Sequence, residues 1–100
     1  ETGSALLCGT AIADAETFGS TLHGAGRTMS RMQAKRTVRG EAVKQKMQIS
    51  GVLVKTGYLP GLAEEAGFAY KNIDDVVAAV DAIGISRKVA RLYPVLNIKG

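Results

Sequence analysis

Apolar residues recur along this chain with two different spacings, and glycine, proline and small polar residues mark the breaks between them. The run Ser4-Ala5-Leu6-Leu7-Cys8, closed by Gly9, predicts a buried strand over residues 4–9. Residues 12–17 predict a short helix or turn. Phe18 to Arg27 contains three glycines and predicts a loop. Ser30 followed by Gln33 has the spacing of a capping box, so a helix is expected from about residue 30 to about 38. Gly40 should interrupt it, and a second helix over 41–50 should stop at Gly51. Val52-Leu53-Val54 predicts a short strand. Gly57, Pro60 and Gly61 mark a turn-rich stretch, and Leu62 to Ala66 has room for one or two helical turns. The clearest helix is 73–83, where Ile73, Val76, Val77, Val80 and Ile83 form one apolar stripe. Asn72 or Asp74 can cap its start, Asp74 and Asp75 suit the positive end of its dipole, and Gly84 ends it. Residues 87–98 read as extended, with Pro94 at an edge or bend. Separated helices and short strands predict an α+β fold with three or four helices, not a parallel βαβ series.

Composition narrows the class. One hundred residues, 46% apolar and 22% charged, describe an ordinary globular chain with room for a single core. No apolar run approaches the roughly 18 residues of a membrane span, and the start lacks the pattern of a signal peptide. The lone cysteine, Cys8, has no partner for an internal disulfide; its apolar neighbours predict a buried, inert thiol in a reducing, cytoplasmic setting. The chain opens at Glu1 and enters a strand almost at once, from which further sequence upstream is expected.

The net charge of +4 is unevenly spread. Between Arg27 and Lys46 stand seven basic residues (Arg27, Arg31, Lys35, Arg36, Arg39, Lys44 and Lys46) and one acid, Glu41. Such a stretch attracts polyanions. Its two readings are a nucleic-acid surface and a solvated helical face, the second fitting Lys35 to Lys46 better.

His23 is the only histidine. A lone histidine is ordinarily a satisfied surface or core side chain, but this one lies between Thr21-Leu22 and Gly24-Ala25-Gly26, with Arg27 following. Small residues let backbone N–H groups approach a ligand closely, and the start of a helix offers further N–H groups to an anion. The segment is therefore a candidate phosphate cradle with an imidazole at its mouth. It matches neither the P-loop pattern nor a complete Gly-x-Gly-x-x-Gly fingerprint. A free imidazole is mostly neutral at pH 7 and can transfer protons, bind metal or attack phosphorus. One histidine and one distant cysteine do not make a closed metal site, and no nucleophile elbow is present.

The run Ser20-Thr21-Leu22-His23-Gly24-Ala25-Gly26-Arg27, continued by Met29-Ser30-Arg31, resembles the histidine motif of RtcB-type RNA ligases. Leu62-Ala63-Glu64-Glu65-Ala66, Ala69-Tyr70-Lys71 and the closing Ile98-Lys99-Gly100 continue the resemblance in order, and Gly3-Ser4 with Gly9-Thr10 fit the strand before the motif. It spans essentially the whole chain, as the C-terminal segment of a single larger catalytic domain, and departs from the family pattern at Ala5, at Leu22 and within Pro94-Val95-Leu96-Asn97. The resemblance implies an enzyme that joins RNA 3′-phosphate or 2′,3′-cyclic phosphate ends to 5′-hydroxyl ends, in tRNA splicing or RNA repair, using GTP and manganese through a histidine–GMP intermediate. It implies His23 as the guanylylated histidine, with Gly24, Ala25, Gly26, Ser4, Tyr70 and Lys99 as further contacts to GTP or GMP. Arg27 and Arg31, four apart, are expected to share a helical face and hold RNA phosphates. The metal ligands are expected upstream, so these residues alone are not expected to ligate RNA. An archease-type activator protein is a candidate partner. The alternatives are a non-catalytic RNA-binding module built on residues 27–46 and an inactive relic of the family.

Overall fold

The helices and short strands of the chain follow one another without a repeating unit. In the computed structural model, which describes residues 1–100, the order is β1 (Ser4–Gly9), α1 (Ala11–Thr17), α2 (Arg31–Thr37), α3 (Gly40–Ile49), β2 (Leu53–Thr56), α4 (Leu59–Glu64), a single 3-10 turn (Gly67–Ala69), α5 (Ile73–Ala82), β3 (Ser86–Leu92) and β4 (Leu96–Lys99). The α+β class is as expected, with five α-helices instead of three or four. No helix is long and apolar enough to cross a membrane. The residues divide into two compact units: Glu1–Thr2, Arg27–Tyr70 and Pro94–Gly100 form one, Gly3–Gly26 and Lys71–Tyr93 the other.

The first unit is built on α3. Gly40, Val43 and Met47 recur at helical spacing and are the buried face of that helix. Val43 and Met47 pack with Val52, Val54, Leu62 and Ala66 in one cluster, bordered by Val38 and Leu59. Full burial of an aliphatic side chain of this size contributes roughly 1.5–3 kcal/mol before entropy is counted. Upstream, Ser30 caps α2 in the predicted way, its hydroxyl accepting the Gln33 backbone N–H at 3.1 Å. Strand β2 pairs in parallel with β4, Leu53 opposite Leu96 through Thr56 opposite Lys99.

In the second unit β1 and β3 form an antiparallel ribbon, Ser4 opposite Leu92 and Gly9 opposite Ser86, with an irregularity between Leu6 and Leu7. Thr10 joins this ribbon to α1: its hydroxyl donates to the carbonyls of Gly84 and Ile85 and accepts from the Ala13 N–H that opens the helix. Asn72 caps α5 by accepting the Asp74 N–H at 3.0 Å. Of the predicted α5 stripe, Val77 is buried and Ile73, Val76 and Val80 are half-buried, whereas Ile83 lies beyond the last turn and is exposed.

Four local expectations change. β1 is not buried: Ala5 and Leu7 are half covered, while Ser4, Leu6 and Cys8 are exposed, so Cys8 is an exposed thiol. A two-stranded ribbon leaves alternate side chains uncovered wherever nothing packs on its second face. β2 extends past the expected Val54 to Thr56. Pro60 and Gly61 lie inside α4, because a helix tolerates proline in its first turn, where the missing N–H has no intrahelical partner. Gly40 begins α3 where an interruption was expected. A Cβ there would overlap the Leu59 carbonyl, lying 2.6 Å from its carbon, so the absence of a side chain permits α3 and α4 to approach. Gly40→Ala is expected to lower stability by about 1–3 kcal/mol through overpacking against backbone that cannot move aside; denaturant unfolding of the protein carrying the substitution measures it.

Candidate functional site

His23 lies in an irregular loop whose two ends are tied within its own unit. At the near end, the Phe18 C-cap of α1 and Gly19 turn the chain, with the Gly19 N–H donating to the Ala13 carbonyl at 2.9 Å and the Thr17 hydroxyl to the Ser20 carbonyl at 2.6 Å. The Ser86 hydroxyl, fully buried at the start of β3, donates to the Thr21 hydroxyl at 2.6 Å. At the far end, the Lys71 N–H donates to the Gly26 carbonyl at 2.9 Å. Between these tethers Leu22 and Ala25 are half-buried while His23 and Gly24 are exposed. The His23 ring makes no hydrogen bond or ion pair within the chain. Gly26 takes φ 75°, a left-handed conformation that side chains disfavour, and nothing lies within 4 Å of where a Cβ would stand at Gly24 or Gly26. The loop thus presents an unencumbered imidazole beside open backbone.

Arg27, Arg31, Tyr70 and Lys99 belong to the other unit. Arg27 and Tyr70 form an isolated antiparallel bridge, supported by the Thr28 N–H donating to the Ala69 carbonyl at 2.8 Å. The Arg27 guanidinium is committed internally: Nε donates to the Met29 carbonyl at 3.0 Å, one terminal nitrogen to the Tyr70 hydroxyl at 2.8 Å and the other to the Glu64 carbonyl at 2.6 Å. It also covers one face of the Tyr70 ring, 4.7 Å from the centroid. The Tyr70 hydroxyl in turn donates to Glu65. Arg31 donates from Nε to the other oxygen of Glu65 at 3.1 Å and remains largely exposed. Arg27 precedes α2, so the two arginines do not share a helical face as expected; they meet instead on one carboxylate, Arg27 at 3.6 Å.

Lys99, in β4, lines a recess of about 170 Å³ with Glu65, Met47 and Leu62. Ser4 is the exposed first residue of β1, opposite Leu92. The predicted site residues are therefore distributed as His23, Gly24, Ala25, Gly26 and Ser4 in one unit and Arg27, Arg31, Tyr70 and Lys99 in the other. The basic stretch is less bare than its local composition implies, because acids distant in sequence meet it: Lys35 pairs with Glu64 at 2.8 Å and Lys46 with Glu1 at 3.4 Å. Glu64 and Glu65 enter the resemblance only within the run Leu62–Ala66, which assigns them no role. The signal that could have singled them out is two adjacent acids in a basic chain.

The hydrogen bond from Tyr70 holds the Glu65 carboxyl below its ordinary range, and Arg31, Lys99 and Arg27 act in the same direction against partial burial. Burial, followed by the bond to Glu65, pushes the Tyr70 phenol up. Because the folded-state value of Glu65 is depressed, its contribution to stability is complete above the usual carboxylate range, near pH 4, and is lost as pH falls through the folded value. The neutral Tyr70 phenol is favoured up to its raised value, so its contribution is lost only as pH rises through that value. Glu65→Gln is therefore expected to lose less stability than the parent between pH 7 and pH 3, as read from denaturant midpoints at the two pH values.

No three His, Cys, Asp or Glu side chains gather into a group that could hold a metal ion. Comparison with known proteins supplies the remaining identification. The family model described as tRNA-splicing ligase RtcB matches residues 1–100. A tRNA-splicing ligase RtcB of Methanopyrus kandleri is 54% identical over 99 residues, covering 99% of this chain and 10% of that protein. One of Archaeoglobus fulgidus is 52% identical, covering 99% of this chain and 20% of the relative. An RNA-splicing ligase RtcB of Mycobacterium tuberculosis is 42% identical, covering 99% and 22%. The chain spans only about a tenth to a fifth of the length of such relatives. Matched from its first residue to its last, the chain belongs to the RtcB family of tRNA-splicing ligases.

Proposed function

We propose that this chain is the nucleotide-carrying part of a GTP-dependent RNA ligase, with His23 as the residue that becomes guanylylated. The observation that carries the reading is the tethered loop: an exposed imidazole beside Gly24 and Gly26, held by the Ser86–Thr21 and Lys71–Gly26 hydrogen bonds. A nucleophile of this kind needs its lone pair free and its backbone fixed, and both conditions hold here.

In the proposed reaction an imidazole nitrogen of His23 attacks the α-phosphorus of GTP. An N–P bond forms, the bond to pyrophosphate breaks, and the proton on the other ring nitrogen is free to leave. The RNA 3′-phosphate then attacks the same phosphorus and takes GMP from His23, restoring the imidazole. Attack of the 5′-hydroxyl on the activated RNA phosphate forms the phosphodiester and releases GMP. Gly24, Ala25 and Gly26 contribute close backbone approach to the nucleotide phosphate. Ser4, Tyr70 and Lys99 are assigned further contacts to the nucleotide. Arg31, exposed and charged, is suited to an RNA phosphate. Arg27 has three internal acceptors and is better suited to supporting Tyr70 than to reaching outward. Manganese would supply charge neutralisation on phosphoryl oxygens. The residues of this chain do not fit a site for it.

A simple RNA-binding module using residues 27–46 is supported less well, since Arg27, Lys35 and Lys46 are each paired with a carboxylate. In the full protein incubated with GTP and manganese, mass spectrometry is expected to find one GMP on the peptide containing His23. His23→Ala should lose the adduct, and RNA joining should fall by at least about 10³-fold. RNA binding with no adduct, or an adduct on another residue, overturns the proposal.

A further inference from the structure

Glu65 has no role in the chemistry above, yet three of the proposed ligand-contacting or supporting side chains converge on it. Its two oxygens accept from the Tyr70 hydroxyl and from Arg31 Nε at 3.1 Å, and Arg27 lies 3.6 Å away. The same carboxylate borders the recess that Lys99 lines. An exposed pair contributes little, but Glu65 is only 28% exposed at its side chain and Tyr70 is half-buried.

We infer that Glu65 is a positioning residue, which fixes the Tyr70 ring and the Arg31 guanidinium in the orientation that meets nucleotide and RNA. This role rests on the function proposed above. The Tyr70 hydroxyl accepts from Arg27 and donates to Glu65, and the Arg27 guanidinium covers one ring face, so the carboxylate sets the orientation of the whole side chain.

The test uses the full protein, with GMP transfer to His23 followed at varied GTP. Glu65→Ala is expected to raise the half-saturating GTP concentration about tenfold, the cost of losing a hydrogen bond to a charged group, with the final extent of adduct unchanged. Glu65→Gln keeps an oxygen acceptor for the Tyr70 hydroxyl and should stay within about threefold of the parent. Tyr70→Phe should behave like Glu65→Ala, and the double variant should be no worse than either, because both break the same bond. In protein labelled at tyrosine Cζ, the Tyr70 phenol should ionise at lower pH in Glu65→Ala than in the parent.

An unaltered GTP dependence in Glu65→Ala overturns the inference, as does a loss in Ala and Gln variants alike that follows the fraction of unfolded protein. An unmoved Tyr70 titration overturns the orienting contact. A parent protein that forms no adduct overturns the function on which all this rests, and is recognised by failing before any substitution is made.

Discussion

A carboxylate drawn partly out of water must find donors for its lone pairs or take up a proton. Glu65 meets that demand with a phenol and an arginine directly, and with the field of a second arginine and a lysine nearby. Each of those donors is thereby fixed as well. Arg27 is held in the plane over Tyr70, Tyr70 cannot rotate without abandoning two partners, and the bridge between Arg27 and Tyr70 keeps the two backbones in register. One acid placed at the end of α4 thus organises side chains from α2, from the segment before it and from the end of the 3-10 turn.

The histidine loop works on the opposite principle. The His23 ring carries no internal partner, and the rigidity comes from hydroxyl and backbone bonds at the loop's two ends. Ser86 illustrates the arrangement: a buried hydroxyl, costly if unmet, is satisfied by Thr21 and so fixes the chain two residues before His23. For the proposed transfer of GMP through His23, a ring left free in its resting state is better placed than one held by a hydrogen bond, provided the backbone beneath it does not drift.

Signals that act over a few residues were legible in the sequence. The Ser30–Gln33 cap, the Asn72 cap, the apolar stripe of α5 and the glycine-marked loop around His23 all depend on neighbours within one or two turns, and all are present. Features that depend on distant partners were not legible. Glu64 and Glu65 neutralise cations some thirty to forty positions away, so a local charge count overstated the bareness of the basic stretch. Gly40 reads as a helix breaker until the Leu59 carbonyl is seen against it. Cys8 reads as buried because its neighbours are apolar, but a strand turns alternate residues outward and that alternation outweighs the local composition.

The parallel pairing of β2 with β4 has a consequence for how the protein acquires its shape. Leu53 finds its partner only at Leu96, about forty positions later, after α4, α5 and β3 have intervened. Ordering a contact of such long sequence separation costs loop-closure entropy before any stabilisation is returned, which slows folding. Until β4 arrives, neither edge of β2 has a strand partner, and such edges recruit strands from other molecules. The interval between synthesis of β2 and docking of β4 is therefore when this segment is most exposed to misassembly, and a chaperone acting on it would have the most to protect then.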